Sequence, residues 1–440
     1  MCDRLDIYVA VGQGGILPGI ELCKRLTLLN CRTSLVTLST FSASVPDTFR
    51  RNTTTELFEI PEPEVGLGSG SDPSLLIEPM RQSLSSYVTT RRTDERGPVG
   101  AILDVGLLGP MNWLIDIFSQ KHIPVTGFFT SSAYSTTREY VAAVEPEKNS
   151  GGLIGWLLGC GFFGSGPGVI GLSGPGDTPP WVGSTNKFMG AMINTCDDLE
   201  RPFIEGLSKK LKLRVWSVGP LLPREYFRLA VTDVRASNEG EARVINWLDS
   251  KPPRSVLLVS FETSVDPTTE EYPLLADALG SSTHPFIWVV RPESHSGGYY
   301  PRVNDAVGGR GLITSETIPS CKILNHRSTA GFLSHCSWEP LMEAIGLGKP
   351  VLAWPKTGDQ FYNAKLVVET LKVGYYVCHN FSQMVKGKGT VSGIGKGIDR
   401  LMSDKGMRKR AGDLSAKFDR SFPESSRAVL DQFTEHLALL

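Results

Sequence analysis

The sequence predicts an α/β protein of two doubly wound domains, each a parallel sheet covered by helices. Three observations predict it. Short apolar runs alternate with helical segments along most of the chain, the pattern of parallel strands joined by crossover helices. The alternation stops at a linker-like stretch, "GPLLPREYFRLAVTDVRASNEGE", and then restarts. The length, 440 residues, suffices for two or three separate cores.

The elements follow in order. "LDIYVAV" predicts a first strand, "VGQGGILPG" a glycine turn, and the residues from Pro18 to Leu29 a helix. "TSLVTL" predicts the next strand. "VGAILDV", a helix over 109–120 and "IPVTGFF" form a second strand–helix–strand unit. "KFMGAMINT" leads into the helix "CDDLERPFIEGLSKKL", where Thr195 and Asp198 have the spacing of a capping box. After the linker, "SVLLVSF", a helix in "PTTEEYPLLADALG", "FIWVV", "GLIT", "AGFLSHC", "PVLAW" and "GYYV" build the second set. We place the domains at 1–230 and 231–440, with the last helix packing back on the first domain. In such folds ligands sit at the carboxyl ends of the strands, so the interdomain cleft is the expected pocket. Residues 150–177 hold 11 glycines with Trp156, Phe162 and Phe163, and suit either an apolar lid or a surface loop.

Composition excludes several classes. Net charge is −1, hydrophobic content 40% and charged content 21%, ordinary for a globular chain and too weakly basic for a nucleic-acid surface. The eight cysteines show no CxxC spacing, as expected of reduced thiols in a cytoplasmic protein. The start lacks the basic and apolar regions of a signal peptide. The most apolar stretch, Gly152 to Phe163, is shorter than the roughly 20 residues that span a bilayer. A monomer with no integral membrane segment is expected.

Generic motifs are mostly missing. GxGxxG starting at Gly12 needs glycine where Leu17 stands. "GKGTVSGIGKG" has a phosphate loop's composition but not its spacing. His326 and His335 lack ligand-like neighbours, so no metal is expected. Neither HExxH nor GxSxG occurs.

Residues 309–360 are more specific. "GRGLITSETIPSCKILNHRSTAGFLSHCSWEPLMEAIGLGKPVLAWPKTGDQ" resembles the signature box of plant UDP-dependent glycosyltransferases. "NTCDDLERPFIE", "VGPLLP", "VINWLDSKPPRSVLLVSF" and "DQFYNAKLVVETLKVGYYV" are also similar to segments of that family. The resemblance implies the GT-B fold, two facing Rossmann-like domains. It further implies a UDP-sugar held by the C-terminal domain and a small acceptor held by the N-terminal one.

Position by position, the resemblance is incomplete. It implies donor contacts at His335, Trp338, Glu343, Asp359 and Gln360, all kept. The tryptophan that stacks on uracil is Thr317, and the nearby glutamine is Ser320. The glycine before Trp338 is Ser337. The phosphate-gripping Asn–Ser pair is Glu339–Pro340. In the strand "SVLLVSF" and its continuation, Glu262 and Thr263 replace Gly and Ser. At the first glycine turn the family's acceptor-activating histidine is Gly15, while its aspartate partner survives as Asp104. His122, the only histidine before residue 220, sits at a helix-to-strand turn and suits a solvent or structural role.

These losses carry energies. Base–aromatic stacking is worth about 1–3 kcal/mol. A hydrogen bond to charged phosphate is worth about 1.5–3 kcal/mol. A carboxylate about 4 Å from a phosphate costs about 4 kcal/mol at an effective dielectric near 20. Glu339 starts a helix and so could hold the phosphate's place with its own carboxylate. On this arithmetic the sequence favours a repurposed scaffold that needs no cofactor. Such a scaffold binds a hydrophobic plant metabolite and transforms it without a sugar donor, by cyclisation or isomerisation. Asp104 and Gln13 are then the catalytic candidates. Gly15, Phe129, Trp156 and Phe162 are the candidate substrate contacts, the missing imidazole enlarging the pocket at Gly15. The alternatives are an active UDP-sugar-dependent transferase and a non-catalytic metabolite binder.

Overall fold

The computed structural model describes residues 5–52, 54–62, 73–93, 99–109, 111–145, 178–228, 238–261, 265, 267–290, 308–316, 318–378 and 390–440. They form two compact units. The first comprises the described residues up to 145, from 178 to 221 and from 424 to 440; the second those from 222 to 423.

In the first unit the chain runs β1 (Asp6–Ala10), α1 (Ile16–Leu28), β2 (Arg32–Leu38), β3 (Thr55–Ile60) and α2 (Pro73–Thr93). It continues through β4 (Val99–Asp104), α3 (Trp113–Gln120), β5 (Val125–Phe129) and α4 (Ala133–Val144). It ends with β6 (Gly190–Ile193), α5 (Asp197–Leu211) and β7 (Val215–Ser217). The strands pair in parallel in the order β3-β2-β1-β4-β5-β6-β7. β1 and β4 are therefore the strands where the order reverses, and their carboxyl ends flank the expected ligand crevice.

The core explains why these segments become strands. β1 and β5 are buried at every position, as strands covered on both faces must be. Leu103, Leu114, Phe118 and Ile193 bury their side chains completely, each worth about 1.5–3 kcal/mol relative to exposure.

The capping box at Thr195 and Asp198 does not form. α5 starts one residue later than it requires, with Cys196 at the N-cap and no side-chain cap bond. The acids are engaged elsewhere: Asp197 accepts from Ser217 Oγ at 2.7 Å and Asp198 from Ser425 Oγ at 2.8 Å. Glu200, on the same helix, instead caps α4. It accepts the N–H groups of Ala133 at 3.0 Å and Tyr134 at 2.9 Å, and burial pushes its carboxyl up to about 6.

In the second unit the elements are α6 (Glu239–Asp249), β8 (Val256–Ser260), α7 (Glu271–Ser281), β9 (Phe286–Val289), β10 (Gly311–Thr314), α8 (Ser320–Asn325), β11 (Thr329–Ser334) and α9 (Trp338–Gly346). Then come β12 (Val351–Ala353), α10 (Gln360–Lys365), β13 (Gly374–Tyr376), α11 (Val391–Ser403) and α12 (Lys405–Ser415). This sheet is also parallel, ordered β10-β9-β8-β11-β12-β13, with its reversal between β8 and β11. Leu257, Leu275, Trp288, Leu352 and Ile398 centre its core.

The final helix, α13 (Glu424–Ala438), belongs to the first unit. Phe433 packs edge-to-face on Trp216 of β7, 5.1 Å between centroids. Leu437 lies against Gly100 of β4, where an added Cβ would stand 2.7 Å from Leu437 Cδ2. Among the described residues no helix is long and apolar enough to cross a membrane, and no cluster of His, Cys, Asp and Glu could hold a metal ion.

Candidate functional site

Each unit presents one structured corner at its strand reversal. In the first unit, β1 runs into a tight turn, Gln13–Gly15, closed by the Gly15 N–H on the Gly12 carbonyl at 3.0 Å. Pro18 falls in the first turn of α1, where its missing N–H costs nothing. Asp104 ends β4 beside this turn. Its Oδ2 accepts the Gly12 N–H at 3.1 Å and its Oδ1 the Gly106 N–H at 2.9 Å. The residue is 5% exposed, and burial holds its carboxyl above the ordinary carboxylate value against the opposing pull of those two donors.

The space at Gly15 is not the enlarged pocket expected from the missing imidazole. A Cβ built on Gly15 would collide with Asp104 Oδ2 and stand 3.2 Å from Asp104 Cγ. The carboxylate has taken the room that a side chain would need. Gln13 is exposed at the tip of the turn. Phe129 is 3% exposed and stands edge-to-face on Trp181, 5.0 Å between centroids, inside the core. His122 is exposed and precedes β5, at the end of the strands opposite Asp104. Trp156, Phe162 and the glycine-rich stretch 150–177 lie outside the described residues.

The second corner joins β11 to α9. His335, 1% exposed, follows Ser334 at the strand end, its ring 6.3 Å from Phe261, which follows β8. Cys336 has φ 70, a left-handed conformation that costs a non-glycine residue about 1–2 kcal/mol. Surrounding bonds hold it there. The Cys336 N–H donates to Ser334 Oγ at 3.0 Å, and its carbonyl accepts from Asn363 Nδ2 at 3.2 Å. Asn363 also donates to Asp359 Oδ2 at 3.0 Å. Gln360 Oε1 accepts the N–H groups of Lys356 and Thr357 at 2.9 and 3.1 Å, while its Nε2 donates to Ser337 Oγ at 3.4 Å.

Ser337, Asp359 and Gln360 thus share one hydrogen-bonded corner stitched by Asn363, and buried His335 lies beside it, next to Cys336. Trp338 is buried at the start of α9. Glu339 and Pro340 occupy the first turn, with Glu339 half-buried. Glu343 lies four residues further along the helix and is half-buried too. Ser320 starts α8. Thr317, Glu262 and Thr263 lie outside the described residues.

Sequence reasoning missed two residues here. Asn363 stitches the two loops. Lys356, at the same corner, pairs with Glu271 Oε2 at 2.6 Å and sits 4.1 Å from the Trp354 ring centroid, with burial lowering its ammonium to about 8. The signal for Lys356 was a cation just beyond a strand-ending Trp-Pro. Asn363 gave none.

The comparisons fit this geometry. Residues 219–420 match the family described as UDP-glucoronosyl and UDP-glucosyl transferase. Zeatin O-glucosyltransferase of Phaseolus lunatus is 34% identical over 266 residues, 57% of this chain and 56% of the relative. Scopoletin glucosyltransferase of Nicotiana tabacum is 31% identical over 260 residues, 57% of this chain and 52% of the relative. The chain thus spans about half the length of the curated relatives it matches. Among solved structures, a transferase from Siraitia grosvenorii in complex with UDP superposes with a TM-score of 0.74 at 20% identity, covering 99% of this chain and 100% of that one. A Polygonum tinctorium UDP-glucosyltransferase capable of glucosylating indoxyl gives 0.74 at 23% identity, covering 100% and 99%. These likenesses support the GT-B fold of two Rossmann-like units.

The expectation of a scaffold working without a sugar donor is corrected by these findings. The relatives that share its sequence are named as glucosyltransferases, so the substitutions in the box do not by themselves signal a change of reaction. Over residues 219–420, just under half of the chain, the sequence thus matches the UDP-glucoronosyl and UDP-glucosyl transferase family, and the two units have the fold of the solved structures above.

Proposed function

We propose that this chain transfers the sugar of a UDP-sugar to a small, largely hydrophobic plant metabolite. The observation that carries the reading is the second corner. His335, Asp359 and Gln360 of the matched segment converge at the carboxyl end of the second sheet, on its strand reversal. That is where open α/β sheets take nucleotides. The start of α9 adds a favourable field for a diphosphate, and Glu343 on that helix suits a ribose hydroxyl. The strained Cys336 supports the same reading, because a backbone held off its preferred conformation by flanking bonds marks a functional turn more often than a plain connection. The relatives' acceptors, zeatin and scopoletin among them, set the expected size and polarity of the acceptor.

The substitutions at Thr317, Glu339 and Pro340 then act on donor affinity and leave the reaction type intact. A weak nucleotide grip with ordinary chemistry is the expected profile. The test is incubation of the purified chain with UDP-glucose and a panel of small phenols, alcohols and carboxylic acids. Mass spectrometry should find hexose conjugates, with UDP released in equal amount. If neither conjugate nor UDP forms with UDP-glucose, UDP-galactose or UDP-glucuronate, the reading is wrong.

A further inference from the structure

The first unit's corner has an arrangement that the transferase reading leaves unused. Asp104 is buried, is held by two backbone N–H groups, and has no side chain between it and the turn at Gly12–Gly15. We propose that Asp104 Oδ2 is itself the base that takes the acceptor's proton, and that the acceptors are correspondingly acidic: phenols and enols in preference to alkyl alcohols. This rests on the transferase reading and specifies its acceptor side.

Three observations support it. First, no side chain at position 15 covers Asp104, and its carboxylate fills the space that a Cβ on Gly15 would take. Second, the described residues of the first unit bring no imidazole to this corner. His122 precedes β5, and β5 spans about 16 Å at roughly 3.3 Å per residue. His436 packs on Trp216, 5.6 Å between centroids. Third, Asp104 faces backbone donors only. On β1 and the turn the contact is Gly12, beyond β4 it is Gly106, and no charged side chain contributes to its protonation. A buried carboxylate in that setting holds its proton more readily than one in water, so it is a better base. It is still a weaker base than a free imidazole, which is why the acceptor must be acidic.

The step balances as follows. The acceptor O–H gives its proton to Asp104 Oδ2 as the oxygen lone pair forms the bond to the sugar's anomeric carbon. The bond from that carbon to the β-phosphate oxygen breaks, and its electron pair leaves with UDP. The proton on Asp104 then passes to solvent.

The test is D104N, assayed with UDP-glucose against two acceptors. One is a phenol as weakly acidic as tyrosine, with a pKa of about 10. The other is 4-nitrophenol, already ionised under mildly alkaline assay conditions. D104N should lower kcat/KM for the first by about 10²- to 10⁴-fold. For 4-nitrophenol the loss should stay below about tenfold, with UDP affinity unchanged. An equal loss on both acceptors makes Asp104 structural and overturns the proposal, as does no loss on the phenol.

Should D104N not fold, the wild-type pH profile decides. For the weakly acidic phenol, kcat/KM should rise with pH through one group titrating above the ordinary carboxylate value and well below the phenol itself. A profile without that limb overturns the proposal. Absence of any transfer by the wild type overturns this proposal and the transferase reading together. Transfer that ignores acceptor acidity overturns this proposal alone.

Discussion

Replacing Arg91 by methionine is expected to lower the unfolding free energy by about 3–5 kcal/mol, the cost of leaving a buried charge without its partner. Arg91, on α2, grips Asp6 of β1 with two parallel bonds, Nε to Oδ2 at 2.8 Å and Nη2 to Oδ1 at 2.9 Å. Both side chains are nearly sealed, 7% and 4% exposed. The same guanidinium reaches Glu56 on β3 and Tyr87 Oη, and Tyr87 in turn donates to Ser34 of β2 at 3.0 Å. Arg91 thus ties two strands to the helix, and Tyr87 of the same helix adds β2. The companion double variant, R91M with D6L, should recover most of the loss because it removes both charges. Urea unfolding of the two proteins checks this. A single-variant loss under about 1 kcal/mol, the size seen for exposed pairs, would show that water reaches the pair and that it is not sealed.

Replacing Glu339 by glutamine is expected to tighten UDP binding by about ten- to several hundredfold. The substitution keeps shape and removes one negative charge from the first turn of α9. A carboxylate and a phosphate charge about 4 Å apart repel by about 1 kcal/mol in water and about 4 kcal/mol at an effective dielectric near 20. Glu339 is half-buried, so its effect should fall between these limits. The change also relieves the like-charge spacing of Glu339 and Glu343, worth about 0.2–0.5 kcal/mol of helix stability. The gain in affinity should shrink in high salt, since part of the repulsion crosses solvent. Equal affinities for E339Q and wild type across salt concentrations would mean that the nucleotide does not approach α9.

Much of the fold was legible because buried parallel strands write themselves as unbroken apolar runs. "SVLLVSF" became β8 and "VGAILDV" β4, each within a residue or so. β3 was not read. Its sequence, "TELFEI", carries two glutamates, and it lies at the sheet edge with only its end residues buried. α2 was missed because it is weakly apolar and carries Pro79 inside it.

The sites divide in the same way. The residues of the second corner stood out because they fall within one contiguous box. What Asp104 does at Gly15 did not, because it depends on two residues 89 positions apart meeting at the reversal of a sheet. Sequence could report that a histidine was missing. Only the packing reports what stands in its place. The energy arithmetic on the box also outran its basis. It counted substituted positions while the corner around the kept residues, held by Asn363 and Gln360, was still out of sight.

The central claim is that the second unit still grips a uridine nucleotide. Calorimetric titration of the wild-type chain with UDP tests it most directly. The account predicts saturable one-site binding tighter than about 100 μM, equivalent to about −5.5 kcal/mol, abolished when His335 and Gln360 are both replaced by alanine. Heats no different from buffer dilution at millimolar UDP would contradict it.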